Sequence, residues 1–143
     1  MAEQLWKRSW DPGLEDVDPR RFETSYVEVV RRAFEEHPQK TALAFMGVQI
    51  TFADLDRYSN RFAHMLLAQG LKKGDVVGIN LPNIPEYVIA WLGTLKAGCV
   101  VSGVSPLLSP EEMEYQLTNS RARGLVTLDA IFAARLVKIA PRL

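Results

Sequence analysis

Val76-Val77-Gly78-Ile79-Asn80-Leu81, then Pro82-Asn83-Ile84-Pro85-Glu86 onward to Ala97-Gly98, then Cys99-Val100-Val101-Ser102-Gly103-Val104: the alternation within this stretch decides the fold. Its two outer runs are apolar, valine-rich and short, which reads as two strands. The segment between them is long enough for a helix over Ile84 to Ala97, with Asn83 as N-cap and Glu86 at its third position. Gly98 stands where a left-handed C-cap belongs. Between Asp75 and Glu111 the only charged residues are Glu86 and Lys96. Strands that read as continuous apolar runs are buried on both faces, as in a parallel sheet covered by helices. The helix is apolar nearly all round, which predicts deep burial.

The pattern continues on both sides. Towards the C-terminus, Ser109, Pro110 and Glu112 supply the N-cap, first-turn proline and box partner of a helix. Gly124 to Leu128 reads as a third strand, and Asp129 opens a last helix that runs towards Pro141. Strand–helix–strand–helix–strand at this spacing implies right-handed βαβ units in an α/β layer fold. Towards the N-terminus, Gly70 closes a helix capped by Thr51, with Asp54 as a weaker box partner. Leu55, Tyr58, Phe62 and Leu66 form its expected buried stripe; Arg57, Arg61, His64 and Ala68 face the other way. Thr41 to Phe52 reads as a hairpin turning at Gly47. Before it, Ser25 and Glu28 suggest a capping box, Val27, Val30 and Phe34 a buried stripe, and Glu28 with Arg32 a surface pair. His37-Pro38 ends that first helix. Residues 1–23 show no period and read as an irregular arm. Trp6 and Trp10 in that arm are expected to dock on the domain, because large aromatics seldom stay solvated without cause.

The chain has 143 residues, enough for one domain with a real core. Seventeen basic residues balance seventeen acidic ones, which gives no reason to expect nucleic acid or an anionic membrane as partner. Cys99 is the sole cysteine, so no internal disulfide forms, and a reducing compartment is expected. The first residues lack the apolar core of a secretory signal, and no uncharged apolar run reaches the roughly 20 residues of a membrane span. The expectation is a soluble cytoplasmic protein.

Chemical signals are sparse. The nine glycines are dispersed, with neither a dinucleotide nor a Walker spacing. Gly70-Leu71-Lys72-Lys73-Gly74 precedes a strand rather than joining a strand to a helix, so it reads as a polar turn and not a phosphate loop. His37, His64 and Cys99 match no metal spacing. His64 falls on a polar helix face, and Cys99 reads as a small core hydrophobe. Asp54 and Asp56, two apart on a helix, cannot face each other. The loop Leu81 to Glu86 leaves the C-terminal end of a parallel strand, where open α/β sheets bind ligands. Capping of the following helix explains Asn83 and Glu86 without a ligand, and is the reading preferred here.

Taken in order, these pieces resemble the acyl-adenylate-forming, or AMP-binding, superfamily, which includes acyl-CoA ligases, luciferases and peptide-synthetase adenylation domains. Its first signature is similar to Ile50-Thr51-Phe52-Ala53-Asp54-Leu55, followed by Gly70 to Ile79 and by Leu81-Pro82-Asn83. Its second is similar to Leu95-Lys96-Ala97-Gly98-Cys99-Val100-Val101, followed by Ser105-Pro106 and the helix with Glu112 and Gln116. The resemblance covers about Trp6 to Leu128. The Trp-containing arm, Leu71 to Asp75 and Val104-Ser105-Pro106-Leu107 lean towards bacterial long-chain fatty-acid–CoA ligases.

The resemblance implies an incomplete N-terminal domain of the acyl-CoA ligase fold: an arm over 1–23, then the start of the AMP-binding domain over 24–143. It implies a parent enzyme that uses ATP, magnesium and coenzyme A on a fatty acid. The family's Ser/Thr/Gly-rich phosphate loop, its adenine and ribose motifs and its C-terminal lysine have no counterpart here. The expected assignment is therefore no catalytic, cofactor-binding or metal-binding residue in this chain, and no turnover from it alone. Self-association through exposed apolar surface is a further expectation. The alternative is a stand-alone, non-catalytic module that binds a partner or an acyl group.

Overall fold

The computed structural model describes Asp11 and residues 23–142. The proposed arm, with Trp6 and Trp10, lies outside the described residues apart from Asp11 and Glu23. The first helix, α1, covers Tyr26–Glu36. Ser25 caps it by accepting from the Glu28 amide at 3.2 Å. The reciprocal half of the expected box is missing, because the Glu28 carboxylate is taken by the Arg31 guanidinium rather than by the Ser25 backbone. Arg31 also pairs with Glu35, so Arg31, not Arg32, organises this surface.

Strands β1 (Thr41–Phe45) and β2 (Val48–Thr51) form the expected antiparallel hairpin. Its two-residue turn places Met46 at φ 46° and Gly47 at φ 83°. Two successive positive φ values suit a tight hairpin turn, and Gly47 meets that need without strain. Thr51 then caps α2 (Phe52–Ala68) through the Asp54 amide. The buried face of α2 runs through Leu55, Ser59, Ala63 and Leu66. Tyr58 and Phe62, expected at its centre, are only half-buried, because small residues there let a second helix approach.

That second helix is α3 (Pro85–Lys96), which lies between β3 (Val76–Asn80) and β4 (Val100–Gly103). A Cβ added to Gly93 would stand 2.7 Å from the Ser59 carbonyl oxygen and 2.8 Å from Phe62 Cδ1. The helices therefore touch backbone to backbone at this point. Asn83 is not the N-cap: Ile84 holds that position, with φ −124° and ψ 161°, and makes no side-chain capping bond. Pro85 is the cause, since a residue before proline is pushed out of the helical region.

After β4 comes α4 (Pro110–Asn119), which carries the complete capping box between Ser109 and Glu112. Strand β5 (Ala122–Thr127) follows and begins two residues earlier than its sequence suggested. The expected last helix is broken up. A short turn α5 (Asp129–Ile131) widens into a π-turn over Phe132–Leu136 and ends in a 3-10 turn over Ala140–Arg142. The Val137 amide reaches back five residues to the Phe132 carbonyl. That wider turn lets Leu136 and Ile139 both pack against Met113 and Leu117.

The main sheet is parallel, in the order β4-β3-β5. One face packs Val77 and Ile79 under α2 and α3, with Ala63, Leu66 and Ala90. The other packs Leu125 under α4 and the C-terminal turns. Gly78 faces that side, where an added Cβ would lie 2.7 Å from Leu117 Cδ2. The expected α/β arrangement, a parallel sheet covered by helices and preceded by a helix and a hairpin, is thus present. A further cluster of Phe34, Leu55 and Leu92 joins α1 and the hairpin to α2 and α3.

Candidate functional site

In an open α/β sheet ligands bind beyond the C-terminal strand ends. Here those ends are tied together by one side chain. Asn80 has no exposed surface. Its Nδ2 donates to the Val104 carbonyl at 3.1 Å, and its Oδ1 accepts from Thr127 Oγ1 at 3.0 Å. The Gln116 side chain donates to the Gly103 carbonyl at 2.7 Å. These bonds give the mouth of the sheet a fixed shape, since a buried amide must keep its partners.

Beside this mouth, the loop before α3 and strand β1 enclose a groove of about 230 Å³. Leu43, Phe45, Ile84, Pro85 and Val88 make its walls, and Asn83 stands at its rim. Freed from capping, Asn83 is exposed and has no hydrogen-bond partner among the described residues. Glu86 is exposed on the first turn of α3.

The glycine turn before β3 is closed on itself. The amides of Gly70, Leu71, Gly74 and Asp75 donate to backbone carbonyls. The Lys72 amide donates to Asp75 Oδ2 at 2.7 Å. That bond, with the Arg123 guanidinium beside it, holds the Asp75 carboxyl below its ordinary range. An internal carboxylate thus occupies the amide that a phosphate would need. The thiol of Cys99 packs with Ala63, Leu66 and Val77, and burial, with a smaller contribution from the Asp75 charge, pushes it up. Asp54 turns to Thr51 and Arg57, whereas Asp56 turns to Lys96, so the two carboxylates do not converge. No metal-holding group of three or more His, Cys, Asp or Glu, with or without His37, His64 and Cys99, occurs among the described residues.

Sequence reasoning missed one polar cluster. Lys96, 12% exposed, spans from α3 to α2. Its Nζ donates to Asp56 Oδ1 at 2.6 Å, Ser59 Oγ at 2.8 Å and Asn60 Oδ1 at 2.8 Å, and lies 4.8 Å from the Phe34 ring centroid. The signal for it was Lys96 itself, the one cation in a long apolar stretch. The cluster binds three helices together and leaves none of the ammonium's donors free for a ligand.

A scan against protein-family models matches residues 30–143 to the family described as AMP-binding enzyme. The chain belongs to the AMP-binding enzyme family. It is 35% identical over 139 residues to a long-chain-fatty-acid–CoA ligase of Haemophilus influenzae, covering 96% of this chain and 24% of that protein. It is 41% identical over 95 residues to a Bacillus subtilis protein of the same name, covering 66% of this chain and 17% of the relative. The anthranilate CoA ligase AuaEII, solved with anthranoyl-AMP, superposes with a TM-score of 0.77 at 29% identity over 82% of this chain and 22% of that one. The N-terminal domain of FACL13 from Mycobacterium tuberculosis gives 0.75 at 25% identity, over 80% and 29%. The chain thus spans about a quarter of the Haemophilus influenzae relative's length. No helix among the described residues is long and apolar enough to cross a membrane.

Proposed function

We propose that this chain is the opening scaffold of an AMP-forming ligase that activates a long-chain fatty acid. The acid's carboxylate oxygen attacks the α-phosphorus of ATP and pyrophosphate leaves. The thiol sulfur of coenzyme A then attacks the acyl carbon and AMP leaves, the thiol's proton passing to solvent. Magnesium offsets phosphate charge in the first step. The observation that carries this reading is the 35% identity over 139 residues to the Haemophilus influenzae ligase.

The chain's own contribution is the α/β scaffold over 24–143, and we assign it no catalytic, cofactor-binding or metal-binding residue. A triphosphate needs converging amides, a lysine and magnesium. The glycine turn directs its amides inward, and Lys96 is fully engaged. By itself the chain turns nothing over, and the reaction takes place in the cytoplasm.

Two assays test this. The native protein, captured with an antibody to this chain, is assayed for ATP–pyrophosphate exchange with a panel of fatty acids. Exchange stimulated by long-chain acids is expected; none from the native protein overturns the ligase reading. The 143-residue chain alone is titrated calorimetrically with magnesium ATP. Exposed lysines contribute only about 1 kcal/mol each, so binding no tighter than about 1 mM is expected. Micromolar affinity refutes the assignment of no nucleotide-binding residue here.

A further inference from the structure

The chain's acidic and basic residues are equal in number but not evenly placed. Between Asp56 and Asp75 the sequence holds Arg57, Arg61, His64, Lys72 and Lys73 and no acidic residue. The end of this stretch, the turn at 70–74, leads into the start of β3, at the pole opposite the C-terminal strand ends. Arg121 and Arg123 join it there. They flank Ala122, the register partner of Val76, so two pairs of cations enter adjacent strands about 4.8 Å apart. Arg61, His64, Lys72, Lys73, Arg121 and Arg123 are all exposed. Asp75, at this same pole, is already engaged by the Lys72 amide and by Arg123. Arg61, Lys72, Lys73 and Arg121 form no ion pair among the described residues. By contrast Glu86, Glu111 and Glu112 lie in the first turns of α3 and α4, at the C-terminal strand ends.

Complementing the helix macrodipole does not account for these cations. That effect falls off within the last turn, and the last turns of α2 and α4 hold no basic residue. Arg121 is the clearest case. At φ 54° it occupies the position after the C-cap of α4, where α2 has Gly70 at φ 86° and α3 has Gly98 at φ 74°. Left-handed backbone strains an arginine and not a glycine. A cation is thus held where local stability selects glycine. Apolar surface lies among the charges, with Met65 45% and Leu67 47% exposed. They fall about 160° apart around α2, one on each side of the stripe through Arg61 and His64. An interfacial helix needs one continuous apolar face, and that of α2 is committed to the core through Leu55, Ala63 and Leu66. Insertion into lipid is therefore not open to it.

We propose that this pole docks an acidic segment of a partner protein, a stretch in which aspartates or glutamates alternate with apolar residues. Its carboxylates pair with Arg61, Lys72, Lys73 and Arg121, and its apolar side chains cover Met65 and Leu67. A guanidinium fork matches a carboxylate, and methionine adapts its shape to a facing apolar surface. Nothing in this docking depends on the ligase reading, so the two stand or fall separately.

The test uses the 143-residue chain and a fluorescein-labelled amphipathic helical peptide of glutamate and leucine, read by fluorescence anisotropy. Binding that weakens as salt rises is expected, and a lysine–leucine peptide of the same pattern should not bind. Lys72→Glu with Lys73→Glu should lower the affinity by up to about fivefold for each charge altered. Leu67→Ser should weaken binding of the glutamate–leucine peptide and leave that of polyglutamate unchanged. Arg121→Gly separates recognition from structure: it should melt no lower than wild type and still bind the peptide more weakly. Absence of salt-dependent binding overturns the proposal. So does undiminished affinity in both Arg121→Gly and a folded Lys72→Glu, Lys73→Glu double variant. Tighter binding to phosphatidylglycerol vesicles or to duplex DNA than to the peptide makes lipid or nucleic acid the partner, and also overturns it.

Discussion

Gly93→Ala should destabilise the fold, although helix propensity alone predicts the reverse. Alanine inside a helix is favoured over glycine by about 1 kcal/mol. Against that stands the contact at the α2–α3 crossing, where the new methyl would lie 2.7 Å from the Ser59 carbonyl oxygen and 2.9 Å from Phe62 Cβ. A carbonyl within a helix cannot swing aside as a side-chain tip does, so the helices must part. Overpacking of this kind costs about 1–3 kcal/mol. Parting them also stretches the 2.8 Å Lys96–Ser59 bond one turn away, and weakening a charged hydrogen bond of this kind costs a further 1.5 kcal/mol or so. The net expectation is a loss of about 2 kcal/mol, or roughly 4–8 °C in Tm for a domain somewhat under 150–250 residues. Urea melts of wild type, Gly93→Ala and Gly70→Ala decide it. Gly70 sits at φ 86° with nothing within 4 Å of an added Cβ, so it reports conformational strain without a clash. A Gly93→Ala protein as stable as wild type, or more so, refutes the close crossing.

Asp56→Ala should destabilise more than Lys96→Met, by about 1–3 kcal/mol, because it strands a buried ammonium whereas the 41%-exposed Asp56 carboxylate can be taken over by water; urea melts giving the opposite order refute the clamp. Gly98→Val should cost more than Cys99→Ser: valine at φ 74° is strained by about 1–3 kcal/mol, and its Cβ meets the Lys73 side chain at 3.3 Å. The same melts read that ranking. Asp75 has a depressed carboxyl, held first by the Lys72 amide and then by Arg123, so its stabilising effect is present above the unfolded value and fades as pH falls through the folded one. The stability gap between wild type and Asp75→Asn should therefore be widest near neutrality and narrow below about pH 4, as measured by melts across pH. Val100 on the outer edge of β4 is 49% exposed and Leu107 86%, so sedimentation should show mass rising with concentration; a strict monomer at all concentrations counts against it.

What the sequence revealed was local. Ser109 and Glu112 form their box because both partners lie within one turn and nothing nearby competes. Gly70 and Gly98 were legible because positive φ at a helix end leaves a residue-type signature. Glu28 misled, since Arg31 one turn on offers its carboxylate a charged partner in place of a backbone amide. Asn83 was assigned as a cap although Pro85 already carried the correcting signal: proline forces the residue before it, Ile84, into the capping conformation. The π-turn and the Lys96–Asp56 cluster were not readable, because each depends on partners distant in sequence. Asp56 lies 40 residues from Lys96, and Leu136 must meet Met113 and Leu117. The groove beside α3 also has walls from two separate stretches, so only the folded hairpin creates it.

The order β4-β3-β5 puts the earliest of the three strands in the middle. On a ribosome, chain emerges N-terminus first, so β3 is available before either neighbour has been made. When β4 emerges it finds one flank of β3 open, and when β5 emerges it finds the other. Each arrival pairs with a strand already present, and neither has to be inserted between two that have closed. Asn80 then waits with its amide unanswered until Val104 and, later, Thr127 are synthesised. The side-chain bonds that Asn80 makes across these three strands are thereby open to closure in the order in which translation supplies their partners.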